Sequence, residues 1–80
     1  MKIEYSKQAA KAISHMDTRT KQRIKTAVEK LPDGDIKLLK KRVSVYRLRV
    51  GDWRVLFSYQ RNETVFIEKI GPRGQIYKEG

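Results

Sequence analysis

Apolar residues at positions 1, 3 and 5 alternate with Lys2 and Glu4, the period of two that marks a short strand. From Ser6 the period lengthens. Ala9, Ala10, Ile13 and Met16 recur at helical spacing behind a serine that suits an N-cap, which predicts an amphipathic helix over about 7–15. The joint at Met16-Asp17 is short, and Asp17 or Thr18 can cap a second helix. Its stripe Ile24, Ala27, Val28 and Leu31 follows the i, i+3, i+4, i+7 pattern until Pro32-Asp33-Gly34 ends it. Two helices so joined form an antiparallel hairpin whose apolar sides need a common surface to cover.

That surface is predicted from the second half. Residues 36–42 read as a basic connector with a few apolar anchors, and three strands follow: 43–50, 53–59 and 65–70, the last after the turn-like Gln60-Arg61-Asn62-Glu63. Gly51-Asp52 is a two-residue loop with glycine first, the signature of a II′ hairpin. The string is β-α-α-β-β-β. It predicts an α+β fold: an N-terminal strand, a helical hairpin, then a three-to-four-stranded, mostly antiparallel sheet, all within one domain over 1–80.

The two-residue loop also dictates register. Val50 faces Trp53, Arg49 faces Arg54, Leu48 faces Val55, Arg47 faces Leu56 and Tyr46 faces Phe57, and directly opposed residues share a side of the sheet. One side then carries Tyr46, Leu48, Val50, Trp53, Val55 and Phe57, a continuous apolar bed for the helices. The other carries Arg47, Arg49 and Arg54. Like charges opposed across strands disfavour folding unless an anion sits between them, and the only nearby acid, Asp52, is explained by the turn. Two readings stand: arginines that keep a solvent-facing side soluble and blunt its edges, or guanidinium groups converging on phosphate, whose oxygens match their planar, bidentate donors.

Composition favours the second. The chain has 80 residues, 19 Lys and Arg against 9 Asp and Glu, and a formal net charge of +10. The excess is uneven, with a net of +3 over residues 1–35 and +7 over 36–80. Polyanions, anionic lipid and acidic protein surfaces are the partners such a chain attracts. The absence of cysteine excludes a disulfide framework and a cysteine-based zinc site, and suits a reducing compartment. No apolar run has the length of a membrane span and no signal-peptide core opens the chain, so the expected location is cytoplasmic with no membrane partner. An apolar fraction of 39% is enough for a folded core rather than a disordered basic tail.

Two further basic groups stand out. On the second helix Arg19, Arg23 and Lys30 cluster beside the apolar stripe rather than opposite it, either a solvated face or a ridge for a partner. Beyond the last strand, Gly71-Pro72-Arg73-Gly74 turns the chain and brings Arg73 and then Tyr77 towards the same sheet edge, where Tyr can stack on a base and Arg can hold a phosphate. His15, the single histidine, lies far along the chain from the arginines, and the carboxylates Asp52, Glu63, Glu68 and Glu79 are scattered. A histidine-based nuclease or a Mg²⁺ site is therefore disfavoured, and neither a metal nor a cofactor is expected. RNA cleavage remains open by another route, in which the substrate's own 2′-OH attacks phosphorus while guanidinium groups stabilise the extra charge.

The stretch Val45-Tyr46-Arg47-Leu48-Arg49-Val50-Gly51-Asp52-Trp53-Arg54-Val55-Leu56-Phe57, followed by Ile70-Gly71-Pro72-Arg73-Gly74-Gln75-Ile76-Tyr77-Lys78, resembles the RelE/ParE superfamily of toxins from type II toxin-antitoxin systems. The resemblance covers nearly the whole chain and extends to the helical hairpin and strand order. It implies a RelE-type mRNA interferase: a toxin that cuts mRNA on the ribosome by 2′-OH attack and is neutralised by a cognate antitoxin wrapped around it. Carried over by motif, Arg54 matches the family's arginine after the hairpin turn, Arg73 the arginine after the last strand, and Tyr77 the C-terminal tyrosine. Arg47 and Arg49 stand where relatives often place lysines, and since arginine is a poor general base the match does not identify the proton acceptor. Lys40, Lys41 and Lys78 would extend the RNA footprint. The same resemblance admits a ParE-like toxin acting on DNA gyrase, and the basic side alone admits a non-catalytic RNA-binding module.

Overall fold

The computed structural model describes residues 2–40, Lys40 by its backbone only, and 44–72. Strand β1 (Lys2–Tyr5) leads into α1 (Lys7–Ser14) and α2 (Thr18–Glu29), followed by β2 (Asp35–Lys40), β3 (Val45–Val50), β4 (Trp53–Gln60) and β5 (Thr64–Pro72). The strands form one five-stranded sheet in the order β1-β5-β4-β3-β2, with β1 parallel to β5 and the other pairs antiparallel. The α+β reading holds, and four strands follow the helical hairpin.

One segment corrects the sequence reading. Residues 35–40 are not a connector but an edge strand, paired to β3 through Asp35↔Arg49, Ile36↔Leu48, Lys37↔Arg47 and Leu38↔Tyr46. Their alternation was obscured because the register shifts between Leu38 and Lys40, which puts Leu39 out of phase.

The β3–β4 register is the one that the two-residue loop dictates, from Val50↔Trp53 to Tyr46↔Phe57. Gly51 turns with φ of 60°, the left-handed region where a Cβ is strained, and a side chain there would also meet the Arg23 guanidinium at 2.9 Å. The β4–β5 turn places Asn62 and Glu63 at positive φ.

The alternation builds the core. Leu48, Val50, Val55, Phe57, Val65, Ile67 and Ile70 turn to the helix side and pack with Ala9, Ile13, Ile24, Val28 and Leu31 into one buried cluster. Each large aliphatic or aromatic side chain so buried contributes roughly 1.5–3 kcal/mol. The helices are fastened at one side of the sheet. Ser6 accepts the Ala9 amide at 3.1 Å as the N-cap of α1 and donates its hydroxyl to the Glu68 carbonyl at 2.6 Å. Gln8 grips β5 twice, donating to the Ile70 carbonyl and accepting its amide.

At the other end of the helix side lies an aromatic group, with Tyr46 stacked on Phe57 at 5.6 Å and Tyr59 edge-on to both. Burial first, and Tyr46 beside it second, push the Tyr59 phenol above the ordinary 10.0; burial first and Glu29 second do the same for Tyr5. The folded chain holds these protons more tightly than the unfolded chain, so their contribution is intact below the ordinary value and is lost as pH rises from there through the raised one. We expect the melting temperature to fall as pH rises above the ordinary 10.0, and the fall to shrink in the Tyr5→Phe/Tyr59→Phe double variant, as thermal denaturation followed by circular dichroism would report.

Candidate functional site: a basic side of the sheet

The side of the sheet away from the helices takes the residues that alternate with the core. Asp35 and Lys37 on β2, Arg47 and Arg49 on β3, Arg54 and Leu56 on β4, and Lys69 and Gly71 on β5 lie there in register. The sequence reading brought together the three arginines and missed both lysines. Lys37 was hidden with its strand; Lys69 stands opposite Leu56 just where the β4–β5 register shifts.

The three arginines are not alike. Arg49 is the exposed one, its side chain 54% accessible, while the Arg47 side chain is 17% accessible. Both point at an acid that the sequence reading did not count: Asp35 accepts from Arg47 Nη2 at 3.2 Å and lies 4.0 Å from Arg49 Nη1. This corrects the expectation that Asp52 is the only nearby acid. The pair is exposed on the acid's side and contributes no more than about 1 kcal/mol, so an incoming phosphate can compete with Asp35 for both guanidinium groups. Arg47 Nε is buried without a hydrogen-bond partner.

Arg54 has a second task. It is 5% exposed, and its Nη1 donates to the Gly51 carbonyl at 2.8 Å and to the Trp53 carbonyl at 2.9 Å, closing the hairpin turn. The conflict between Arg49 and Arg54 is thus relieved from both ends, by Asp35 and by the turn carbonyls. Arg54 is a staple of the hairpin as well as a member of the basic group.

Lys41, Arg73, Tyr77, Lys78 and the side chain of Lys40 lie outside the described residues. His15 is the exposed C-cap of α1, away from the arginines in the sequence. Among the described residues no group of three His, Cys, Asp or Glu could hold a metal ion, and no helix is long and apolar enough to cross a membrane. What the site offers is positive charge with planar donors, suited to an anion with several oxygens.

A helical hairpin thus lies on one side of a small, mostly antiparallel sheet, with arginines on the other. The chain belongs to the ParE toxin family of type II toxin-antitoxin systems, whose description matches residues 3–77, and it is a RelE/ParE superfamily toxin. Among solved structures it is similar to the archaeal RelE-RelB complex from Pyrococcus horikoshii, at 26% identity and a TM-score of 0.73 over 92% of this chain and 96% of that one. The RelB-RelE complex from Methanococcus jannaschii shares the fold at 24% identity and a TM-score of 0.76, covering 95% of this chain and 96% of that chain. The RelBE complex of E. coli does so at 14% and 0.65, covering 89% and 94%. No curated protein matches.

The unequal roles of the arginines are separable by stability. Arg54→Ala removes charge-assisted bonds to two carbonyls and is expected to cost about 2 kcal/mol or more, whereas Arg49→Ala should stay within about 0.5 kcal/mol of the parent. Urea unfolding of the two variants checks this; equal, negligible losses would show that the turn does not depend on Arg54.

Proposed function

We propose that this toxin is an endoribonuclease that cuts mRNA on the ribosome and so stops translation, held in check by a cognate antitoxin. The observation that carries the reading is the basic side of the hairpin: Arg47, Arg49 and Arg54 in one register, flanked by Lys37 and Lys69. The RelE-RelB complex from Pyrococcus horikoshii supports the antitoxin partner and the RelE-type comparison.

In the proposed reaction the 2′-oxygen of the substrate forms a bond to the adjacent phosphorus and gives up its proton, while the bond from phosphorus to the 5′-oxygen breaks and that oxygen takes a proton. Negative charge grows on the non-bridging oxygens in the transition state. Arg49, exposed and loosely paired, and Arg47, whose Nη2 is paired with the exposed Asp35, are the groups we assign to that charge, since donors fixed before the reaction stabilise it most. Arg54 holds the turn that sets their spacing. Arg73 and Tyr77 are assigned to the site by sequence match alone, with Tyr77 or a lysine as the proton carrier and Lys40, Lys41 and Lys78 as RNA contacts.

The family description favours a second reading, a ParE-like toxin that poisons DNA gyrase through protein contact. A translation extract programmed with one defined mRNA separates the two. We expect new 5′ ends within the reading frame, present only with ribosomes, and about 100-fold slower cleavage with Arg49→Ala at unchanged stability. Intact mRNA, with gyrase-linked breaks in supercoiled DNA, would replace the ribonuclease by the second reading. Binding of RNA with neither outcome would leave a non-catalytic module.

A further inference from the structure

The side of the sheet that carries the arginines continues towards β1, and there it changes character. Ile3, Tyr5, Phe57, Val65 and Ile67 pack into the core, so by alternation Glu4, Ser58, Thr64 and Phe66 face away from the helices, with Gln60 opposite Thr64. Near the β4–β5 turn, Glu4, Gln60, Arg61, Thr64 and Phe66 line an open hollow of about 520 Å³. Two of its polar groups are held in place: Gln60 donates Nε2 to Ser58 Oγ at 2.8 Å, and Thr64 donates its hydroxyl to the Asn62 carbonyl at 3.3 Å. Phe66 is partly exposed, with Glu4 beside it in register. Among the described residues the Glu4 carboxylate pairs only with Lys2, at 3.9 Å with both side chains exposed, and no acid pairs with Arg61. A ring, an available carboxylate and an available guanidinium thus surround one hollow, and the cleavage chemistry proposed above uses none of them.

We propose that this hollow binds a guanine base of single-stranded RNA. Phe66 supplies the surface on which the base stacks, Arg61 holds a phosphate next to it, and Glu4 selects the base. A carboxylate only accepts hydrogen bonds, and guanine is the RNA base whose Watson–Crick edge sets two donors side by side, N1–H and the 2-amino group. Adenine and cytosine put an acceptor next to their amino group, and uracil has one N–H between two carbonyls, so each turns at least one acceptor towards Glu4. An anion alone is a poorer occupant, because Glu4 repels it, and a metal ion finds a single carboxylate in the lining. The strand beneath, β5, is paired on both edges, to β1 and β4, so no added strand uses it. The hollow lies in line with the arginines: Gln60 is four residues along β4 from Leu56, which faces Arg47, roughly 13 Å that a few nucleotides of single strand span. That the bound strand is then cut rests on the ribonuclease reading above; the base site does not.

The test uses the full chain labelled with ¹⁵N and short 2′-O-methyl oligouridines that carry one guanine, inosine or adenine in the middle, with 5′-GMP as the free nucleotide. The guanine oligomer is expected to shift the amides of Glu4, Gln60, Arg61, Thr64 and Phe66, to saturate, and to bind about tenfold more tightly than the adenine oligomer, as charge-assisted hydrogen bonds to one base imply. Inosine keeps N1–H but lacks the 2-amino group, and should fall between the two. Glu4→Gln keeps the size of the side chain and should abolish the preference for guanine, whereas Phe66→Leu keeps an apolar side chain without the ring and should weaken all three oligomers alike. Equal binding of guanine and adenine oligomers, a guanine preference that survives Glu4→Gln, or guanine-dependent shifts confined to the arginines would each overturn the proposal, and 5′-GMP binding as tightly as the oligomer would overturn RNA as the source of the base. A parent that cuts no mRNA in the extract while it still prefers guanine would reject the ribonuclease and keep the base site. A parent that cuts mRNA and binds the oligomers without preference would reject the base site alone.

Discussion

Everything in this molecule that bears on function follows from one constraint, the two-residue turn at Gly51-Asp52. A loop that short leaves β3 and β4 one register, and in a sheet the register decides which side every residue occupies. Shifting it by one position would turn one strand over against the other, carrying either Leu48 and Val50 or Val55 and Phe57 into solvent and the arginines of that strand towards the helices. The core therefore enforces the placement of Arg47, Arg49 and Arg54: their positive side exists because the opposite side must be apolar. Arg54 closes the circle, since its guanidinium holds the carbonyls of the turn that positions it.

The arginine side also shows how a strain of charge is tolerated in so small a fold. Two guanidinium groups lie opposite each other, and the chain meets the repulsion with one edge-strand carboxylate and with the dipoles of the turn rather than with a buried ion pair. The carboxylate is exposed and its pairing weak, so Arg47 and Arg49 stay available to a stronger anion. The helix side solves a different problem. Anchoring α1 to β5 fixes one flank, and the short side chains of α2 leave the other open.

The sequence made much of this legible, for identifiable reasons. The helices were readable because Ile24, Ala27, Val28 and Leu31 keep strict helical spacing, and the hairpin because its turn is only two residues long. The edge strand β2 was not, because Leu38-Leu39 breaks the alternation at a register shift and a lysine-rich segment resembles a linker. With it went Asp35 and Lys37, whose contacts depend on a strand pairing that no local pattern specifies. Lys69 was missed for a kindred reason, the shift between Leu56 and Phe57. The burial of Arg54 could not be seen either, since a charge buried against carbonyls looks, in sequence, like a charge in solvent.

The central claim is that the hairpin's basic side is a phosphate-binding surface built for RNA. The most direct measurement titrates a single-stranded RNA carrying 2′-O-methyl groups, which block the attacking oxygen, into the ¹⁵N-labelled chain and reads the arginine and lysine signals. The account predicts shifts at Arg47, Arg49, Arg54 and Lys37 that weaken steeply with salt, as binding to several phosphates requires. Shifts confined to α2, or none at all, would contradict it.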